Sequence, residues 1–282
     1  MKKFLLLCAT AFIATGAIAQ KASLKVSYEE TKHIYAQDDK LGKTTMILLS
    51  GKDGSKYFNE MSQYCDSMTS TPEGKKALQK IQMAAWMTTG ADGSITSIDM
   101  SKGNAPMKRV DTYILKDFGK KEIAVYDSWA HEPGRYTEPF AEMEWEIEGD
   151  STRTVLGYEC VMARTNYHGR EWRAWFTPEI PVQDGPWKFH GLPGLILAAE
   201  SDNDMTMTAT GIETSDTAIQ PIYSSESYAG IERKKALKDQ EYYANNLEAI
   251  IKARFGNSVR FENEGKEKKP YSRERYSLET DY

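Results

Sequence analysis

Gly185-Pro186-Trp187-Lys188-Phe189-His190-Gly191-Leu192-Pro193-Gly194-Leu195-Ile196-Leu197 sets three glycines and two prolines among bulky apolar side chains. A loop of this composition gains nothing by facing water. It is expected to fold inward as a rigid, buried crossover from one β-hairpin to the next. Gly185, Gly191 and Gly194 supply positive φ or close backbone approach. Pro186 and Pro193 fix φ and hold their predecessors extended. Leu192, Leu195 and Leu197 then enter a core.

The flanking segments read as strands. Thr154 to Asn166 and Glu171 to Phe176 meet at Tyr167-His168-Gly169-Arg170, where Gly169 suits a tight turn. Trp172, Ala174 and Phe176 share one face of the second strand, opposite Arg173 and Trp175. After the crossover, Leu195 to Glu200 and Met205 to Ile212 form a hairpin around Ser201-Asp202-Asn203-Asp204. Further out, Leu24 to Ile34 and Thr44 to Leu49 are strands, and Arg109 to Leu115 pairs with Lys121 to Ser128. Glu142 to Glu148 alternates, with Met143, Trp145 and Ile147 turned inward and its glutamates in water.

Two helices interrupt the strands. The first starts at Ser70-Thr71-Pro72-Glu73, capped either by Thr71 with Pro72 at the first helical position or by a Ser70–Glu73 box. It runs to Gly90. The second spans Ile231 to Arg254 and stops at Gly256, with Gln240 and Glu241 breaking its apolar stripe. Strands in series with few helices predict a mainly β, α+β fold: an antiparallel curved sheet or half-open barrel with a helix packed on one face. The predicted organisation is a leader over 1–19, one β-rich domain over 20–256, and a charged tail over 257–282, extended or loosely ordered.

The leader reading rests on Lys2 and Lys3, an apolar run from Phe4 to Ile13, and Ala17-Ile18-Ala19 before Gln20. A membrane anchor fits less well, because the run breaks at Thr15-Gly16, short of the roughly 20 residues a span needs. The expectation is an exported protein of the periplasm, the cell envelope or the medium, with no transmembrane segment after cleavage. Losing Lys2 and Lys3 takes the formal charge from −5 to about −7, which argues against nucleic acid as a partner. Two cysteines remain, Cys65 and Cys160. Export would let them form a disulfide contributing about 4 to 5 kcal/mol in the chain-entropy model. Two separate buried thiols are the other reading.

No local signature of chemistry stands out. The histidines His33, His131, His168 and His190 lack zinc-site spacing, and serine-elbow, phosphate-loop and dinucleotide glycine motifs are absent. No metal, cofactor or catalytic residue is therefore assigned. The Met205-Thr206-Met207 run reads as core packing. The densest cluster is Arg170, Trp172, Trp175, Trp187 and His190. It would make an aromatic-walled pocket for a small apolar ligand, a peptide or an envelope protein; equally, the tryptophans would fill a β core.

Residues Gly157-Tyr158-Glu159-Cys160, then His168 to Thr177, Glu179 to Val182, Gly185 to Phe189 and Gly191 to Leu197, resemble the GLPGLI family, exported proteins typical of Bacteroidetes. The resemblance implies an exported, largely β protein with an accessory role at the envelope, near nutrient uptake systems. It carries no catalytic residues. Three functions stay open: a non-enzymatic binding or accessory protein using a concave β face, an extracytoplasmic hydrolase or peptidase with a site assembled in space, and an assembly factor without a pocket.

Overall fold

The computed structural model describes residues 20–33, 41–99, 105–140, 143–201, 205–256 and 271–282. The leader expected over 1–19 lies outside them, as do Ile34, Glu142, the turn residues 202–204 and 257–270 of the tail.

The chain runs through β1 (Ala22–His33), β2 (Leu41–Gly51) and β3 (Gly54–Phe58), then α1 (Glu60–Thr69) and α2 (Pro72–Trp86). A small ribbon follows, β4 (Met87–Thr89) and β5 (Ile95–Ile98). Next come β6 (Tyr113–Asp117), β7 (Glu122–Trp129), β8 (Glu132–Pro139), β9 (Glu146–Val155), β10 (Tyr158–Tyr167) and β11 (Arg170–Thr177). The crossover leads into β12 (Leu195–Ser201) and β13 (Thr206–Thr214). The chain closes with β14 (Ala229–Gly230), α3 (Arg233–Phe255) and the single turn α4 (Arg273–Tyr276). Among the described residues, twelve strands form one sheet, ordered β14-β8-β7-β6-β3-β2-β1-β13-β12-β11-β10-β9, while β4 and β5 stand apart. Only β14 on β8 is parallel.

This is the antiparallel, α+β fold the sequence predicts. The sheet does not close into a barrel, since β9 and β14 are its two ends. It curves enough for one core to draw on both halves: Tyr28, Leu48, Tyr57, Ile114 and Val125 share a cluster with Trp172, Phe189, Leu192 and Leu197. Register shifts in β1, β10 and β11 bend the strands locally. The helix α3 packs on β7 and β8, with Ala236 fully buried.

Several boundaries differ from the sequence reading. Thr154 to Asn166 is two strands, because Leu156 and Gly157 take φ of 52° and 85° and turn the chain back on itself. Residues 143–145 precede β9 instead of belonging to it, and Ile147 is exposed on this edge strand. β8 is hidden in sequence by Pro133, Gly134 and Pro139. It pairs fully with β7 and carries only two-residue β14 on its other side, where missing N–H donors are tolerated. α1, absent from the sequence reading, is capped by Asn59, whose side chain accepts from the Ser62 N–H; Met61, Tyr64, Cys65 and Met68 do recur there at helical spacing. Thr71 caps α2, which ends at Trp86, short of Gly90. In α3, Gln240 accepts the Ala130 N–H at 3.0 Å and Glu241 pairs with Arg273 at 2.8 Å. These contacts account for the two polar residues in the stripe.

Of the two readings left open for the cysteines, the structure has the separate buried thiols, and the loose tail is corrected over its described residues, 271–282. Cys65, on α1, and Cys160, on β10, are both free and buried. Cys65 neighbours Asp66 and Lys108, whereas Cys160 neighbours Arg153 and Glu179, so no bridge joins them. Burial raises both thiols above the ordinary cysteine value. The end of the chain is docked, not loose. Thr280 donates its N–H to the His168 carbonyl and its hydroxyl to that of Gly169, at 2.8 and 2.9 Å, and Glu279 is buried.

Candidate functional site

The crossover goes inward as its composition demands. Residues 184–190 are buried without a break, and only Gly191 and Pro193 face out. Gly191 takes a φ of +90°, and Gly185 sits against Ile196 so closely that an added Cβ would lie 2.8 Å from that residue's Cβ. The surprise is Lys188, which is 0% exposed inside an otherwise apolar segment.

Two ionic centres hold the crossover. In the first, Lys116 of β6 reaches Asp184 at 2.7 Å. Its ammonium also donates to the carbonyls of Gly185 and Phe189, at 2.8 and 2.7 Å. The Ser50 hydroxyl donates to the other Asp184 oxygen at 2.8 Å. Burial pulls the Lys116 amine below its ordinary value, against the opposing pull of Asp184.

In the second, Lys188 lies 2.8 Å from Glu138 and 2.6 Å from Glu279, and donates to the Tyr136 hydroxyl at 3.0 Å. Arg233 grips Glu279 and Asp281 at 2.5 and 2.8 Å. His168 sits 3.4 Å from each of Glu138 and Asp281. His168, Glu279 and Asp281 cluster as metal ligands would. A cation entering there would have to displace Lys188 and Arg233 from the same carboxylates.

Burial alone would raise Glu138, but the His168 hydrogen bond and the Lys188 charge outweigh it and hold the carboxyl down at about 2. Asp281 is held at about 2 by Arg233 against its own desolvation. A carboxyl depressed on folding stabilises above its unfolded pKa and loses that contribution as pH falls through the folded value. For Glu138 this is on the order of 3 kcal/mol, lost between about pH 5 and pH 2. Thermal melts over that interval are expected to fall steeply for the natural chain and less so for Glu138→Gln. Parallel curves for the two would remove Glu138 from the account.

The tryptophans singled out in the sequence belong to the core. Trp172 lies 5.6 Å from Trp187 and 5.0 Å from Phe189, ring centre to ring centre. Trp175 is buried beneath the Arg153 guanidinium, 3.6 Å from its ring centre. Arg170 is buried and donates to the carbonyls of Arg273, Glu274 and Ser277, which fixes the last turn of the chain. Of the five residues, His190 is the one that lines the cleft formed beside the crossover.

That cleft, of about 890 Å³, lies where the ends of β1, β2, β6, β8 and β13 meet the crossover. Phe118, Phe140 and His190 form a continuous aromatic wall, with Phe140 6.2 Å from Phe118 and 4.2 Å from His190. Pro181, Val182 and Ala22 add apolar surface, and Ser50 and Gly51 supply polar lining. Lys21, Lys52 and Lys121 stand at the rim, with Asp216 the single acid among the described lining residues. His190 is held in place because its Nδ1–H donates to the Lys188 carbonyl at 2.8 Å. Sequence proximity could not reveal this site. Its walls come from the start of β1, the β2–β3 and β6–β7 turns, the segment after β8, the crossover and the segment after β13.

A family model described as "Protein of unknown function (Porph_ging)" matches residues 164–198, which span the end of β10, β11, the crossover and the start of β12. The match is consistent with a Bacteroidetes-type chain. No curated protein matches the sequence. Among solved structures, two crystal forms of PNGF-II, in space groups C2 and P21, resemble the chain at 13% and 14% identity, each with a TM-score of 0.49 over 80% of it. The chain spans about a third of the length of those proteins, 34% in each case.

Proposed function

We propose that this chain is an exported envelope protein of the GLPGLI family that binds a ligand, and that the cleft between the crossover and the β6–β7 turn is its binding site. The carrying observation is an aromatic wall of Phe118, Phe140 and His190 around a cleft of about 890 Å³. Small-molecule sites typically occupy roughly 300–1,000 Å³ and are lined mainly by apolar groups with a few placed polar ones. The wall is also rigid. The crossover that carries His190 is pinned by Lys116 and Asp184 directly behind it, so little ordering entropy opposes binding. A small apolar molecule, or the apolar side chain of a peptide, fits such a wall. The position of the family-model match, across the crossover that forms part of it, supports the same reading.

N-Phenyl-1-naphthylamine, a neutral fluorescent aromatic, provides the test. It is expected to bind saturably with one site per chain. Phe140→Ala should weaken it about tenfold, the equivalent of about 1.4 kcal/mol, which is the scale of an aromatic contact plus its buried area. Absence of saturable binding, or binding indifferent to Phe140→Ala, would overturn the cleft as the site. Fractionation of cells making the full chain should find it outside the cytoplasm.

A further inference from the structure

We propose that the cleft selects an organic anion, a small ligand with an apolar body and an acidic head group. This deepens the binding reading above and rests on it. The argument starts from the rim. Lys21, Lys52 and Lys121 arrive from three different parts of the chain, the start of β1, the β2–β3 turn and the β6–β7 turn, and converge on one opening. The chain has more acids than bases, 41 Asp and Glu against 36 Lys and Arg, so carboxylates to neutralise them are not scarce.

Several lysines elsewhere are matched, although among the described residues those of α2 (Lys75, Lys76 and Lys80) stand in solvent without an acid; what sets the rim apart is that its three lysines line one cleft. Lys25 pairs with Glu60, Lys43 with Glu29 and Lys108 with Asp66. Even Lys120 meets Asp117 at 3.1 Å, while its neighbour Lys121 turns to the cleft. Among the described residues, none of the three rim lysines makes an ion pair. The floor does not offset them, because Asp184 beneath is already neutralised by Lys116. Among the described lining residues three lysines face one acid, Asp216, so the cleft presents a net positive mouth above its aromatic wall. Low-dielectric walls concentrate such a field at the opening and favour an anion there. An apolar body against Phe118 and Phe140 would place its acidic head among the lysines.

The test compares two probes that differ in one group. 8-Anilinonaphthalene-1-sulfonate has the ring system of N-phenyl-1-naphthylamine with a sulfonate added. At low ionic strength the sulfonate probe is expected to bind at least about tenfold tighter and to displace the neutral one. Its advantage should shrink as salt is raised. In a Lys21→Gln, Lys52→Gln, Lys121→Gln triple variant, with an unchanged thermal melt as control, the two affinities should come within about twofold of each other. If the neutral probe binds as tightly as the sulfonate, or the preference survives the triple substitution, anion selection is wrong while the cleft remains a binding site. If neither probe binds, both readings fall.

Discussion

Gly194→Val should leave little folded protein at physiological temperature. Gly194 lies just before β12, in a stretch where Thr177 pairs with Leu195. A Cβ there would overlap the Thr177 carbonyl oxygen and sit 2.7 Å from its carbon and 3.0 Å from the Pro178 Cα. These are backbone atoms, so no rotamer change relieves the overlap. Nor can the backbone retreat cheaply, since Gly194 donates to the Leu192 carbonyl and Leu195 to that of Ile180, at 2.8 and 3.0 Å. Thr177 and Leu195 are fully buried. Overlap with fixed backbone in a packed core belongs to the exceptional class of substitutions costing more than about 4 kcal/mol. Total stabilities run to only about 5–15 kcal/mol. A melting temperature lower by about 10 °C or more is expected wherever soluble protein can be recovered. Gly149→Ala is the control. Gly149 has nothing within 4 Å of an added Cβ, and its melt should stay close to the natural one. Matching melts for Gly194→Val and Gly149→Ala would mean that the crossover is not packed as described.

The same crossover shows what sequence can and cannot reveal. Its inward course is legible because glycine, proline and leucine together have no stable solvent-facing arrangement. Hairpins with a clear turn are legible too, as at His168 and Gly169, where φ is positive at both. Lys188 is not legible. A lysine in an apolar run is ordinarily read as a charge reaching water, and its partners Glu138 and Glu279 lie far away in the chain. The docked C-terminus fails for the same reason, since a charged segment reads as solvated until the buried cations that neutralise it are known. The pocket assigned to Arg170, Trp172, Trp175, Trp187 and His190 illustrates the limit on sites. Nearness in sequence brought together residues that the fold sends to a core, to a tail clasp and, for His190 alone, to a cleft. The cleft's other walls are scattered from Lys21 to Asp216, so no local pattern could announce it.

Asp184→Ala should be nearly as damaging as Gly194→Val, for an electrostatic reason. The side chains of Lys116 and Asp184 are 1% and 0% exposed, so each has lost its hydration and depends on the other. Removing one partner of such a pair typically costs about 3–5 kcal/mol, because the remaining charge is stranded in a medium that cannot solvate it. The carbonyls of Gly185 and Phe189 would still accept from Lys116 in the variant, but dipoles do not replace a counter-charge. Lys116→Met would instead strand Asp184 with only the Ser50 hydroxyl and the Gly185 N–H, donors at 2.8 and 2.9 Å. The double variant Lys116→Met, Asp184→Leu carries no buried charge, so its cost by urea denaturation should fall well below the sum of the single costs. It should not reach zero, since the two carbonyls lose their donor. The pH response separates charge from packing. In the natural chain the Lys116 amine is already depressed by burial, and loss of Asp184 must depress it further. The unfolded chain then binds more protons between the folded and the ordinary lysine pKa, so Asp184→Ala should regain stability as pH rises through that interval. The same variant should lose N-phenyl-1-naphthylamine at neutral pH, because the crossover bearing His190 rests on this pair. A cost for the double variant equal to the sum of the singles, with no recovery at alkaline pH, would reduce Lys116 and Asp184 to ordinary packing and leave the cleft floor without its electrostatic support.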